Sequence, residues 1–593
     1  MLAEMVRREL YSICVMLTLS ALLISGHPIS PERSESDTDS IPLDSSEYCS
    51  TWMHFSKSHN SCICGTNRHH AVKCDAELNQ VSILQTGCYV MTLDPDSQEA
   101  IVGQSIYGCI PHFGTIEPYL QIPTDKWKID EEVCAPFNRS GRLCGACKED
   151  FSPLVYSYGV HCMNCTILLS KRNWLRFVAV AFIPLTFFYL FVLLFKFNAN
   201  SPSMHAFVFL AQIVTQTFGT KTAAVELKQR SPTFVVFLQT FYGIWNLDFF
   251  RAAYTNICLN VTTIQALSLN YLVAFYPLLL IAVTYSFVYL HSEGYRLVTF
   301  IWSPFRKCLL RIESHWSIQS SLIDVFATFL LLSYNRLLDM GFSLLIYTVP
   351  FDSSNRNIGK YLYYDGSKEY FGKEHFPYGV LAICVSVFFI FLPLLLLLLY
   401  PMKWFQRFLN CYRLSCVSLH TFVDSFTGYY KDGTESGTRD CRFFAALFLL
   451  LRLLNYMAFA VTMNSMYIPV YSIVLVCFTT AFVLARPYKQ KYSHHVFTTS
   501  LILMIMIIAY CCGMGVCIAT FKMPQAVDLF LYIGFVMLVL PIVYITGLVL
   551  LWFYHHTSCK WVVISLIRGN SLKRMSNRVS ILSMKYSFYG SVN

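Results

Sequence analysis

The sequence predicts an all-α polytopic membrane protein of about nine transmembrane helices that carries a small disulfide-rich ectodomain. Three observations predict it. Of 593 residues, 55% are hydrophobic and only 13% are charged, against about 25% charged in an average soluble domain. No soluble fold of this length hides so much apolar surface, so a bilayer has to act as the solvent. Eleven of the 23 cysteines lie between residues 48 and 169, and the long apolar runs follow them. The net charge of +10 gathers in short connections between those runs, with no basic-aromatic patch that would track a phosphate backbone. Nucleic acid is therefore not an expected partner; the lipid bilayer is.

Residues 1–26 read as a secretory signal peptide: Arg7 and Arg8, an apolar stretch from Leu10 to Ile24, then Ser25 and Gly26. A retained signal anchor is the alternative, and the polar, acidic stretch over residues 31–47 favours cleavage. The mature N-terminus is then expected outside, in an oxidising compartment. Residues 27–47, rich in Ser, Asp and Pro, form an expected disordered linker, and residues 48–169 a cysteine-rich extracellular domain.

The eleven cysteines of that domain are Cys49, Cys62, Cys64, Cys74, Cys88, Cys109, Cys134, Cys144, Cys147, Cys162 and Cys165. An odd number leaves one thiol over, and Cys258, placed outside by the topology below, restores parity. The two Cys-x-x-Cys pairs, Cys144/Cys147 and Cys162/Cys165, have the spacing of a zinc ribbon in a cytosolic protein. Behind a signal peptide the same spacing favours disulfides, so neither metal nor cofactor is expected. His54, His59, His69 and His70 crowd near Cys62, Cys64 and Cys74; solvated histidines beside disulfides are favoured over a metal site. Glycosylation sequons begin at Asn138, Asn164 and Asn260.

Residues 170–553 form the expected bundle, with spans at about 174–197, 204–222, 266–290, 322–349, 377–400, 443–463, 467–485, 496–519 and 526–553. The run 204–222 is short and carries Gln212 and Gln216, while 234–250 carries Gln239, Asn246 and Asp248, so either can be the additional span. Three connections are basic: 291–321, 486–495 and the tail 554–593. All three are expected in the cytoplasm. An outside N-terminus and an inside tail require an odd number of crossings; taking 204–222 as the second gives nine.

Charged residues inside a span are expensive and are candidates for function by default. Asp324, Asn335, Arg336 and Asp339 share one span, and Arg452 and Asn455 share another. Arg336 and Asp339, three apart, can pair on one helix face. Asp324 near the helix end is expected to be wet. Arg452 has no acid in its own run, and Asp339 is the expected partner. A register-fixing ion pair and a path for a polar substrate are both open readings.

Residues 141–147 (GRLCGAC) resemble the cysteine-rich modules of receptor ectodomains, such as ephrin-receptor-like repeats. Together with 245–251 (WNLDFFR), 364–367 (YDGS) and the loop 422–442, the module over 141–165 is similar to a family of multi-pass membrane proteins of early-branching animals. Many of those carry large cysteine-rich or β-helical ectodomains. The resemblance covers roughly residues 140–460 and implies a shared architecture without importing an activity, the family having no assigned chemistry. The ectodomain here is short and has no β-helical repeats.

The loop 401–442 is the longest inside connection, and its aromatics beside charges suggest an element docked on the bundle. Juxtamembrane Cys308, Cys411, Cys416, Cys441 and Cys559 are candidates for acylation. The chain lacks a His-Glu-x-x-His helix, a Walker loop, a Gly-x-Ser-x-Gly elbow and a kinase motif set. An enzyme is therefore not expected. The sequence leaves a plasma-membrane receptor or adhesion protein with an extracellular ligand or cell-surface partner, and, as the alternative, a channel or transporter using the intramembrane charges.

Overall fold

The computed structural model describes most residues from 134 to 521, short strands between 53 and 122, and scattered helical residues between 536 and 547. Residues 1–52 and 548–593 lie outside the described residues, as do 220–242, 248–258, 296–317, 412–416 and 459–466. The expected signal peptide, linker and tail, together with Cys49, Cys88, Cys109, Cys165, Cys258 and Asn260, fall there.

The chain is mostly helical. The bundle comprises α1 (Arg172–Phe195), α2 (Pro202–Gly219), α3 (Thr263–Ser292), α4 (Ile318–Leu345), α5 (Phe376–Leu399), α6 (Lys403–Cys411), α7 (Val417–Thr427), α8 (Phe444–Tyr456), α9 (Tyr467–Ala485) and α10 (Lys491–Phe521). Local chemistry sets several boundaries. α3 begins on a capping box: the Gln265 N–H donates to Thr262 Oγ1 at 3.3 Å, and the Thr262 N–H donates to Gln265 Oε1 at 3.0 Å. In α5, Pro393 has no N–H for the Phe389 carbonyl, and a π-helical stretch over Ser386–Phe391 absorbs the misfit. Pro401 then stops the helix.

Among the described residues, four helical segments are long and apolar enough to cross a membrane: Trp174–Leu193, Thr263–Leu290, Phe376–Leu399 and Lys491–Tyr510. The expected count of nine is not supported by the described helices. The run 204–222 yields a shorter apolar helix, Pro202–Val214, and 443–463 yields Phe444–Tyr456. The run 322–349 ends early, because α4 stops at Leu345 and Tyr347–Thr348 leaves as a strand. Of 526–553 only scattered residues are described.

Burial separates two kinds of helix. α4 is buried at nearly every position from Val325 to Leu344 and packs against α1, α3, α5, α7 and α8. By contrast α1, α3, α5 and α9 expose large apolar side chains, among them Leu175, Phe187, Leu279, Phe388, Ile473 and Leu484. An apolar belt around a buried helix that bears charges is what a bilayer selects.

The cysteine-rich region folds as small antiparallel sheets. Strands β1 (Met53–Ser56) and β2 (Ser61–Cys64) pair, as do β5 (Tyr89–Leu93) and β6 (Ala100–Gln104). β3 (Val72–Asp75), β4 (Gln80–Leu84) and β7 (Tyr119–Ile122) form a three-stranded sheet in that order. β8 (Arg139–Ser140) pairs with β9 (Ala146–Cys147), and β10 (Phe151–Pro153) with β11 (Cys162–Asn164). Disulfides join Cys134 to Cys144 and Cys147 to Cys162. The α4–α5 connection carries its own sheet of β12 (Tyr347–Thr348), β13 (Tyr361–Leu362) and β14 (Asp365–Glu369).

Candidate functional site

The closest approach of the module to the bundle lies where residues 139–147 meet the α4–α5 connection. Between the two disulfides the backbone is forced into left-handed turns at Leu143 (φ 53°) and Cys144 (φ 56°), conformations that a leucine adopts only where its surroundings over-determine it. Those surroundings are visible. The Leu143 N–H donates to Thr92 Oγ1 at 2.9 Å, and Ser105 Oγ donates to the Leu143 carbonyl at 3.0 Å. Fully buried Arg139 donates to the carbonyls of Cys144 and Gly145 at 3.1 and 2.8 Å.

Arg142 closes the site. Its guanidinium pairs with Asp94, both side chains buried, and lies 4.4 Å from the centre of the Tyr361 ring. A Cβ on Gly145 would collide with the Ser367 and Gly366 backbone nitrogens, and one on Gly366 would meet Leu143 Cβ at 2.7 Å. Only two glycines facing each other let these backbones touch. Val102 and Phe351 exchange both backbone hydrogen bonds at 2.8 Å, extending the seam. Burial pushes the Asp365 carboxyl above the usual carboxylate range.

The seam leads directly into helix ends. His375, at the start of α5, donates from Nε2 to the Leu344 carbonyl at 2.8 Å and accepts the Phe371 N–H at 3.0 Å. Tyr370 donates to the Leu345 carbonyl at 2.9 Å. The last turn of α4 is thereby tied to the sheet on which the module rests.

Deeper in the bundle the sequence-predicted charges are divided among several helix contacts. Arg452 is fully buried and donates from Nε to Gln212 Oε1 at 2.7 Å, with its guanidinium 4.8 Å from the Phe209 ring centre. The expected partner, Asp339, is instead bonded by the Tyr456 hydroxyl at 2.8 Å. No described carboxylate is within ion-pairing distance of Arg452. Gln212 takes the place of that partner, and its Nε2 donates to the carbonyls of Leu331 and Leu332 at 3.1 and 3.2 Å. One amide therefore joins α2, α4 and α8.

Arg336 is held similarly, donating to the Leu247 carbonyl at 2.6 Å and to Asn270 Oδ1 at 3.1 Å. Asn455 is fully buried. Neither polar side-chain atom of buried Asn335, nor Nη2 of Arg452, has a hydrogen-bond partner among the described residues. At the opposite end of α4, Asp324 accepts the hydroxyl of Ser425 from α7 and is half-buried, so the expectation of a simply solvated carboxylate is corrected.

The loop after α7 is docked, as its composition suggested. The Lys431 N–H donates to the Pro487 carbonyl at 2.9 Å, and the Lys489 N–H to the Tyr429 carbonyl at 3.1 Å. The Tyr430 and Tyr488 rings stack at 4.7 Å with their hydroxyls 3.1 Å apart. Asp432 pairs with Lys489 at 3.4 Å, and bonds from the Thr434 hydroxyl and N–H hold its carboxyl well below the usual carboxylate range.

Comparison with family models, curated proteins and solved structures finds no match. The geometry alone therefore carries the reading. Of the expected disulfide set, Cys134, Cys144, Cys147 and Cys162 are paired, and Cys62, Cys64 and Cys74 lie on described strands. Asn138 and Asn164 are exposed. Cys411 is exposed and Cys441 buried, which removes Cys441 from the acylation candidates. Sequence reasoning missed Asp94, Arg139, Arg142 and Gln212 as site residues. The glutamine carried a signal, being a buried-type position in an apolar run, but it reads there as a blemish in a span.

Proposed function

We propose that the protein is a multi-pass cell-surface receptor or adhesion-type protein of the plasma membrane, with its N-terminus outside and its C-terminus in the cytoplasm. The observation that carries this reading is the gearing of the module to α4. Leu143 and Gly145 press on β14, Tyr370 and His375 beyond that strand are bonded to the carbonyls of Leu345 and Leu344, and the far end of α4 holds α7 through Asp324 and Ser425. A load on the module thus meets a continuous rigid route to the far side. The nine-crossing topology belongs to the proposal: it puts the basic connections inside and the sequons outside. The lipid belt and the two disulfides agree with it.

The test is hydrogen exchange on the full-length protein in lipid nanodiscs. Gly145→Val, and independently Gly366→Ala, should speed exchange in residues 417–427 as well as in the seam. Loosening confined to the seam would break the coupling and with it the receptor reading.

A second reading, an anion-conducting channel or transporter, is favoured by Arg452 Nη2 and Asn335, buried polar groups without a described hydrogen-bond partner. Against it, Arg452 is fully buried and is bonded by Gln212.

A further inference from the structure

The coupling described above makes no use of α6. This nine-residue helix follows α5 after a break at Pro401 and Met402, and the break is tightly closed. The Met402 N–H donates to the Leu399 carbonyl at 2.8 Å, and Gln406 Nε2 donates to the Tyr400 carbonyl at 3.1 Å. The helix is thus a fixed continuation of a membrane-crossing segment.

Its residues sort cleanly at 100° per position. Trp404, Phe408 and Cys411 fall on one stripe and Phe405 and Leu409 on the next, while Lys403, Gln406, Arg407 and Asn410 occupy the opposite side. Leu409 is buried and Phe405 half-buried, which moors the helix to the protein. Trp404 is nevertheless 57% exposed and Phe408 45% exposed, one turn apart. Lys403 and Arg407 are exposed as well, and the helix contains no acid.

Water is a poor neighbour for that outward stripe, and a bilayer interior is a poor neighbour for the two cations. The boundary between them suits both: aromatic rings sit among the upper acyl chains while basic side chains reach the phosphates. The preceding helix supplies continuity, since α5 exposes Leu392 and Leu395 in its last turns before the break.

We infer that α6 is an interfacial anchor that recognises acidic phospholipid headgroups, through Lys403 and Arg407, with Trp404 and Phe408 inserted beneath them. The chemistry is that of a phosphate-bearing lipid surface of net negative charge. On the topology proposed above, it faces the cytoplasmic leaflet, where such lipids concentrate. That assignment of leaflet rests on the proposed topology; the lipid contact itself does not.

The test uses the full-length protein in nanodiscs of phosphatidylcholine, with and without phosphatidylserine. Lipids brominated near the headgroup should quench Trp404, isolated as the difference between wild type and Trp404→Phe, and aqueous iodide should quench it little. The double variant Lys403→Gln/Arg407→Gln should keep its thermal midpoint in phosphatidylcholine and lose the rise that phosphatidylserine gives the wild type. Retention of phosphatidylserine, read by native mass spectrometry, should weaken about fivefold per basic residue removed.

Trp404 reached by iodide and not by brominated lipid would overturn the inference. So would a Trp404 shielded from both, which marks a protein or a second copy as the occupant, and so would an intact phosphatidylserine effect in the double variant. All three outcomes leave the exchange test of α7 untouched, so the two readings fail separately.

Discussion

Two buried arginines meet opposite solutions to the same problem. At the seam, Arg142 faces a carboxylate, Asp94, and an aromatic ring. In the bundle, Arg452 faces an amide oxygen, a phenyl ring and the Phe448 carbonyl, with no charge opposed to its own. A carboxylate attracts a guanidinium over a range of separations, so that pair tolerates small shifts. A cation balanced only by fixed dipoles has one acceptable geometry, and it holds three helices in register for that reason. On the proposed reading the seam takes the load and the junction stays closed.

The sharpest way to break this contrast is at Gln212. Gln212→Leu removes the 2.7 Å acceptor of Arg452 Nε and leaves the charge with the Phe448 carbonyl alone among its described acceptors, so stability should fall by about 3–5 kcal/mol, measured as unfolding in nanodiscs. Adding Arg452→Met to that variant should recover most of the loss, since an apolar pair leaves nothing unsatisfied. A double variant no better than the single one would mean that the junction is not a clamp.

Asp94→Ala leaves the buried Arg142 cation with the Tyr361 ring beside it and should cost about 3 kcal/mol, the low end for a broken buried pair. Its signature is faster hydrogen exchange over residues 139–147 and 365–369 with the α2–α8 junction unchanged. Spread of the effect into α8 would erase the distinction between the two sites.

The smallest effect concerns the clasp of Asp432. Its carboxyl is more acidic when folded than when unfolded, so the contribution is complete above the unfolded value of about 4 and fades as pH falls below it. The thermal midpoint should therefore be insensitive to this group between pH 5 and pH 8, the range above both values. Asp432→Asn should flatten the acid-side decline that the wild type shows.

Much of this architecture is legible in the sequence, for a physical reason. Apolar runs and intramembrane charges are local signals: Arg336, Asp339, Arg452 and Asn455 stand out from their neighbours without any knowledge of the fold, and each is buried. The paired Cys-x-x-Cys spacing and the docked loop 422–442 are local signals too. Partners are not local. Gln212 lies 240 residues before Arg452, and Asp94 lies 48 before Arg142; no periodicity encodes either pairing. The early end of α4 was hidden for a related reason, because Tyr347 and Thr348 are as apolar in context as a span requires and become strand only by pairing with Tyr361 and Leu362. Asp324 reads as a wet terminal acid until Ser425 is brought to it from another helix.

On the proposed reading the deep arginine fastens helices and does not line a path. Proteoliposomes holding the full-length protein and a chloride gradient test it most directly. Anion efflux should be no faster than from protein-free liposomes, for the wild type and for Arg452→Met alike. Efflux by the wild type that Arg452→Met abolishes, in protein that remains folded, would contradict it.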